Sequence, residues 1–323
     1  MANNIHTEVL ECCPVCGSSQ AKQLERPSVT IGDEFFCDLS DSLRLNRCKS
    51  CLLEYVNPRP SPNTLMAFYN HSGYGAHTKQ GTEQYVEASY RARYDLLSSV
   101  LKTPSTLLDF GCGGGAFVNY IHNKGWASYG VEPSLHGRDN ATSLGVTVYS
   151  ELSGTINADD PDIITAVHVI EHVPDLDATL SAFHGRLRPG GFLYVEVPNL
   201  GSLRARLIGM GMSPAADDAR YRSFPIHLYG FRHSPLSLLL AKHGFKIVVS
   251  SSIGLGVDQL RVIKNLKRKN KQDLPIKMTS KSASSSVTES VKPETGRPRH
   301  SFLRNLYLSS RLGESLALLV QKQ

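Results

Sequence analysis

Short β-rich runs alternating with amphipathic helical stretches across residues 106–250 predict an α/β fold, a mostly parallel sheet covered by helices on both faces. Two C-x-x-C pairs ahead of residue 52 predict a small four-cysteine module in front of that sheet. A third observation is the strand-like Leu107-Leu108-Asp109-Phe110 running into Gly111-Cys112-Gly113-Gly114-Gly115, which marks where the sheet would receive a ligand.

At 323 residues with 41% hydrophobic content, the chain is long enough for one full α/β domain plus a minor module. Its start, MANNIHTEVLECC, lacks a basic segment followed by an apolar stretch, and no uninterrupted apolar run reaches about 18 residues, so a cytoplasmic protein is expected. The net charge of +6 is localised: Arg261–His300 holds 11 Lys/Arg against 3 Asp/Glu, which leaves the remainder slightly acidic. That distribution argues against a specific nucleic-acid partner. The basic stretch is poor in apolar residues and reads as a solvated, disordered insertion, with weak contact to anionic surfaces as its alternative role.

Residues 1–58 read as the metal module. Six of the seven cysteines lie before residue 52, and in a reducing compartment such usage favours metal over disulfides. Cys13-Pro14-Val15-Cys16 and Cys48-Lys49-Ser50-Cys51 form two knuckles, and the four thiolates of Cys13, Cys16, Cys48 and Cys51 can close a tetrahedral structural zinc site with no open position. Redox cysteines are the main alternative, and Cys12 and Cys37 read as free thiols. Residues 59–101 are a connector with a helix around Glu87–Leu101.

The main domain, 102–260, offers strands at Thr106–Phe110, Ser128–Glu132, Val146–Tyr149, Ile163–Val169, Phe192–Val197 and Phe245–Ser250, with helical segments such as Ala116–Lys124, Ala178–Leu187 and Ser234–His243. A lid of about 199–226 follows the fifth strand, over the strand ends where open α/β sheets bind ligands. Its Leu203, Leu207, Ile208, Met210 and Met212 read as packing more than as a lipid-facing stripe. Beyond the basic insertion, 261–300, residues 301–323 supply a helix and a last strand, because ESLALLVQ is too apolar for an unpartnered tail.

Glycines at the turn after the first strand let the backbone pass close under a ligand, and the helix that follows offers unpaired N–H groups. Gly111-x-Gly113-x-x-Ala116 also satisfies a dinucleotide pattern, so this motif alone leaves a nicotinamide-dependent oxidoreductase open. Glu132, in Gly130-Val131-Glu132-Pro133, stands 21 residues beyond Gly111 at the end of the second strand, where a carboxylate can accept from both hydroxyls of a ribose.

Two further segments complete the series: His168-Val169-Ile170-Glu171-His172 at the fourth strand, and Leu187-Arg188-Pro189-Gly190-Gly191 entering the fifth. With these motifs in this order over Leu107–Phe245, the chain resembles the class I S-adenosylmethionine-dependent methyltransferases. The resemblance implies a Rossmann-like seven-stranded sheet, with Ser315–Leu319 antiparallel beside Phe245–Ser250, and S-adenosyl-L-methionine as cofactor. It puts Asp109, Gly111 and Gly113 around the methionine end, Glu132 at the ribose and His168 beside the sulfonium. Glu171 and His172 divide between packing and a substrate-site role.

The cysteine module, followed by Tyr55-Val56-Asn57-Pro58-Arg59-Pro60 and Phe68-Tyr69, resembles the zinc-knuckle front end of bacterial methyltransferases acting on sugars and other small polar metabolites. Those proteins carry Gly after the second knuckle, where this chain has Leu52, so a different turn is expected there. His227 matches an active-site histidine of related sugar methyltransferases and is the candidate base. Where the sugar C-methyltransferases have Tyr-x-Glu-His, this chain reads Phe224-Pro225-Ile226-His227, which lacks the groups suited to an enolate and favours a hydroxyl acceptor on a sugar, glycan or similar small molecule. A sugar C-methyltransferase and a non-catalytic binding protein are the other expectations.

Overall fold

The computed structural model describes residues 5–25, 33–39, 41–71, 83–101, 104–209, 222–253 and 314–323. The cysteine-rich front contributes β1 (Thr7–Glu8), β2 (Ala21–Gln23), α1 (Asp33–Phe36), β3 (Leu45–Cys48), β4 (Glu54–Val56) and β5 (Arg59–Pro60). Helices α2 (Pro62–Tyr69) and α3 (Glu83–Val100) lead into the main domain. There β6 (Thr106–Phe110), α4 (Ala116–His122), β7 (Ala127–Val131), α5 (Leu135–Ser143), β8 (Val148–Tyr149), β9 (Ile163–Val167), α6 (Leu176–Arg186) and β10 (Phe192–Pro198) follow in turn. The remainder comprises α7 (Leu203–Gly209), β11 (Tyr229–Gly230), α8 (His233–Lys242), β12 (Phe245–Ile253) and β13 (Ser315–Lys322). Met210 and Met212 of the expected lid, the basic stretch 261–300 and the helix expected before the last strand lie outside the described residues.

Seven strands form one sheet in the order β12-β13-β10-β9-β6-β7-β8. From β10 to β8 the neighbours are parallel, whereas β13 runs antiparallel to both β10 and β12. The mostly parallel, Rossmann-like sheet is thus as expected, and the terminal strand lies beside β12 with β10 on its other side. Strands covered on both faces need unbroken apolar runs rather than alternation. Leu107 and Leu108 in β6, Ile163 and Ile164 in β9, and Leu316 to Val320 in β13 are all buried.

Helix starts are written into the sequence by short oxygen-bearing side chains. Ser61 Oγ accepts the Thr64 N–H, Ser134 Oγ the Gly137 N–H and Asp175 Oδ1 the Ala178 N–H, fixing the first turns of α2, α5 and α6. In α5 this cap aims the helix N-terminus at the carboxyl end of β7.

The cysteine-rich front packs directly on the main sheet. β11 pairs antiparallel with β4, so a second sheet of order β11-β4-β3-β2 joins residues from both halves of the chain. Leu53 and Tyr55 share one apolar cluster with Leu108, Ile164 and Val195. Glu54, 1% exposed, meets Arg47, Arg222 and Arg232 at 2.6, 2.9 and 3.6 Å. Burial alone would raise its carboxyl, and the Arg222 and Arg47 guanidinium groups outweigh that and lower it. Buried Arg59 reaches Glu8, the Tyr229 hydroxyl and the Pro174 carbonyl. Each of these buried charges is paired, the condition under which desolvation is offset.

Candidate active site and cysteine cluster

A cavity of about 1040 Å³ opens at the carboxyl ends of β6, β7 and β9, lined among others by Gly111, Gly113, Glu132, His168, His172 and Tyr69. Its volume is at the upper end of the range for small-molecule sites. Gly113 adopts φ +53°, and a Cβ built there would meet nothing within 4 Å, so the backbone passes under open space. Gly111, at φ +75°, has no such room: a Cβ would come 2.5 Å from Val169 Cγ2. The two glycines therefore serve different ends, one leaving space for a ligand and the other letting two strand ends approach.

Glu132 is buried, and its two oxygens accept the Gly113 N–H at 2.9 Å and the Ser134 N–H at 2.8 Å. Each carboxylate oxygen has a second lone pair, so the group can still accept from two hydroxyls. Asp109 sits under the glycine loop rather than in the cavity wall, and its Oδ1 accepts the Thr165 hydroxyl at 2.6 Å. Burial pushes the Asp109 carboxyl up to about 6, against the opposing pull of the Thr165 hydroxyl and Arg93. The residues expected from the sequence to hold a cofactor are thus brought together, with Gly111, Gly113, Glu132 and His168 on the wall and Asp109 behind it.

His168 occupies the left-handed region, φ +54°, at the point where β9 ends. Such a conformation in a non-glycine residue is costly and persists where its surroundings enforce it. Its ring, 45% exposed, lies between two carboxylates, Nδ1 3.4 Å from Glu171 and Nε2 3.6 Å from Glu196. Burial of the inner edge would lower its pKa, yet Glu171 and Glu196 together raise it to about 10. Glu196 is held in turn by Arg93, at 2.9 and 3.2 Å, and by the Tyr194 hydroxyl at 2.9 Å. Burial would raise the Glu196 carboxyl, but His168 and Arg93 hold it well below the carboxylate range.

Four residues further on, His172 Nδ1 lies 3.0 Å from the Ile226 carbonyl and 3.2 Å from the Tyr69 hydroxyl. A carbonyl can only accept, so Nδ1 carries the proton and Nε2 the lone pair. Burial lowers the His172 pKa, against the opposite pull of Glu171. The His227 ring packs edge-on against His172 with centroids 4.6 Å apart. His227 itself is not among the residues lining the cavity, whereas His172 is. Sequence reasoning did not single out Arg93 and Glu196: in the sequence one is a charge on an amphipathic helix and the other a lone acid in an apolar strand. Tyr69 carried a signal through the Phe68-Tyr69 pair, without an assigned role.

In the N-terminal module Cys13, Cys16, Cys48 and Cys51 converge, their sulfurs all within 4.8 Å of one another. Cys13 and Cys51 Sγ lie 3.6 Å apart, and Cys16 and Cys48 Sγ 3.5 Å. Zn–S bonds of about 2.3 Å in a tetrahedron give sulfur–sulfur edges of about 3.8 Å, so the cluster fits a closed structural zinc site. Cys12 and Cys37 are exposed and outside it. The two knuckles are built alike: Gly17 N–H donates to the Cys13 carbonyl at 2.9 Å, and Leu52 N–H to the Cys48 carbonyl at 3.1 Å. Gly17 has φ +71° and Leu52 φ +67°. The different turn expected at Leu52 is therefore not found; the leucine accepts the left-handed conformation because the knuckle's hydrogen bond demands it.

The family described as Methyltransferase domain matches residues 82–250. A ubiquinone biosynthesis O-methyltransferase of Paraburkholderia xenovorans is 33% identical over 106 residues, covering 30% of this chain and 46% of that protein. The corresponding enzyme of Pseudomonas paraeruginosa is 29% identical over 103 residues, covering 29% and 44%. The chain therefore spans less than half the length of these curated relatives. A solved SAM-dependent methyltransferase from Archaeoglobus fulgidus superposes with a TM-score of 0.47 at 20% identity, covering 75% of this chain and 95% of that one. One from Mesorhizobium loti gives 0.44 at 14%, covering 72% and 98%. With its match running from α3 through β12, over just over half of its residues, the chain belongs to the methyltransferase-domain family.

Proposed function

We propose that the protein transfers the methyl group of S-adenosyl-L-methionine to a hydroxyl of a small polar metabolite, such as a sugar or glycan. The observation that carries this reading is one cavity joining the glycine turn and Glu132 to the histidines at the end of β9. Gly113 leaves the space and Glu132 the spare lone pairs that a ribose-bearing cofactor needs, and the cofactor when bound supplies an electrophilic methyl. The chain's own residues have two tasks: aligning the acceptor oxygen with that methyl, and accepting the hydroxyl proton as the new C–O bond forms. The curated relatives, named as O-methyltransferases, support oxygen as the receiving atom.

His227 is the candidate proton acceptor. That His172 and not His227 lines the cavity favours a second reading, in which His172 takes the proton and His227 positions its ring. Labelled cofactor and a panel of nucleotide sugars, glycans and quinone precursors would identify the acceptor. His227→Ala and His172→Ala would then be compared at saturating acceptor. Loss of the base lowers turnover by about 10²–10⁴ with cofactor affinity retained. A product bearing a new C–CH₃ bond, or full turnover in both variants, would overturn the proposal.

A further inference from the structure

Glu171 is 0% exposed, and neither of its carboxylate oxygens makes a hydrogen bond among the described residues. The 3.4 Å approach of His168 Nδ1 is an ion contact without hydrogen-bond geometry. A buried carboxylate with no hydrogen bond and a single histidine ring at 3.4 Å is under-satisfied, and a bound ion is one established reason for such a group. Two histidines stand beside it. Glu171, His172 and His227 each offer one ligand atom, and the three atoms lie within 4.8 Å of one another.

We propose that Glu171, His172 and His227 form a second metal centre, separate from the cysteine cluster, that takes a divalent transition ion. The donor set is two imidazoles and one carboxylate. Imidazole selects against magnesium and calcium, and the absence of thiolate selects against copper(I), so the set suits zinc, cobalt or iron(II). Three protein donors leave coordination positions open, the pattern of a reactive centre rather than a closed structural one. The Ile226 carbonyl, by holding the His172 Nδ1 proton, supplies the outer contact that fixes the tautomer of a ligating histidine. His172 lines the cavity, so open positions on the ion would face an acceptor's oxygen. The ion takes the histidine lone pair that proton acceptance would need, and the loaded and proton-accepting forms of this corner are therefore alternatives. The site is inferred from its own donors and goes beyond the functional reading above.

Cobalt(II) titrated into the whole chain loaded with one equivalent of zinc, enough for the cysteine cluster alone, tests the centre without reference to activity. A cobalt ion on nitrogen and oxygen donors gives weak visible bands and lacks the intense near-ultraviolet charge-transfer band that cobalt gains on thiolates. The expected result is one saturable cobalt per chain with the weak bands alone. Affinity should fall at least about tenfold in Glu171→Gln and in His227→Asn, each checked by circular dichroism for an unchanged fold. The second variant keeps the test intact should the first not fold. No saturable binding, a spectrum dominated by thiolate charge transfer, or equal affinity in a folded variant would overturn the centre. None of these outcomes bears on whether methyl transfer goes to a hydroxyl.

Discussion

Glu132 Oε2 accepts the Gly113 N–H at 2.9 Å, so the carboxylate that closes β7 also fixes the backbone of the glycine turn after β6. Glu132→Gln should keep one acceptor and lose the other together with its charge. Hydrogen bonds to charged groups contribute about 1.5–3 kcal/mol, so cofactor affinity should fall roughly 10- to 100-fold, and the thermal midpoint should fall as well because one of the two backbone N–H donors then meets an amide NH2. Calorimetric titration of S-adenosyl-L-methionine against both proteins measures this, and equal affinities would remove Glu132 from the site.

Asp109 makes a pH prediction. Burial raises its folded pKa to about 6 from the ordinary 3.8. Between those values the folded state holds a proton that the unfolded state releases, so this group makes stability decline as pH rises from about 4 to 6, and not above. Asp109→Asn removes that titration and keeps an acceptor for the Thr165 hydroxyl. Over this window the variant should gain on the parent by up to about 3 kcal/mol. Parallel urea titrations of the two proteins at several pH values would show it, and curves that keep a constant separation would refute it.

Leu52 is 48% exposed at φ +67°, so it loses little by truncation and gains from a residue suited to that conformation. The left-handed region costs an ordinary residue about 1–2 kcal/mol, part of which a glycine returns to the unfolded chain as entropy. Leu52→Gly should raise the stability of the protein by about 0.5–1 kcal/mol. A lowered denaturation midpoint would show that the leucine side chain contributes packing that its exposure does not suggest.

Most of the main sheet was legible because its strands are buried on both faces and must be written as apolar runs such as Ile163–Val167 and Leu316–Val320. The glycine turn and the position of Glu132 at the end of β7 were legible for a related reason: close backbone approach at a strand end tolerates few residue types. The groups that hold His168 and His172 (Tyr69, Arg93, Glu196 and the Ile226 carbonyl) were not, since they come from four distant segments joined by tertiary packing. Leu52 misled for the opposite reason. Local preference pointed away from a left-handed turn, and the knuckle's hydrogen bond to Cys48 overrode it.

Ile253 faces Ser315 in the antiparallel register of β12 and β13. Strand ends in that relation can be joined by a hairpin loop of a few residues. Replacing residues 255–313 by a four-residue Asn-Gly-containing loop should therefore leave the sheet intact, whereas removing 314–323 should unfold it by stripping β10 and β12 of their shared partner. Circular dichroism melts of the two truncated proteins decide the matter. Comparable melting of both would mean that β13 contributes little to the sheet.

The central placement of β13 also sets a timetable for synthesis. It is the last of the seven strands to leave the ribosome, yet it must enter between two strands already made. At 5–20 residues per second, residues 254–314 take roughly 3–12 s to emerge. Throughout that interval β10 presents an apolar edge with no neighbour, and β12 has nothing to dock on. The nascent protein is thus open to strand-adding partners, including other nascent copies, for far longer than its sheet would need to close once complete. Its yield in a cell should depend on chaperone capacity more than the stability of the finished fold would suggest.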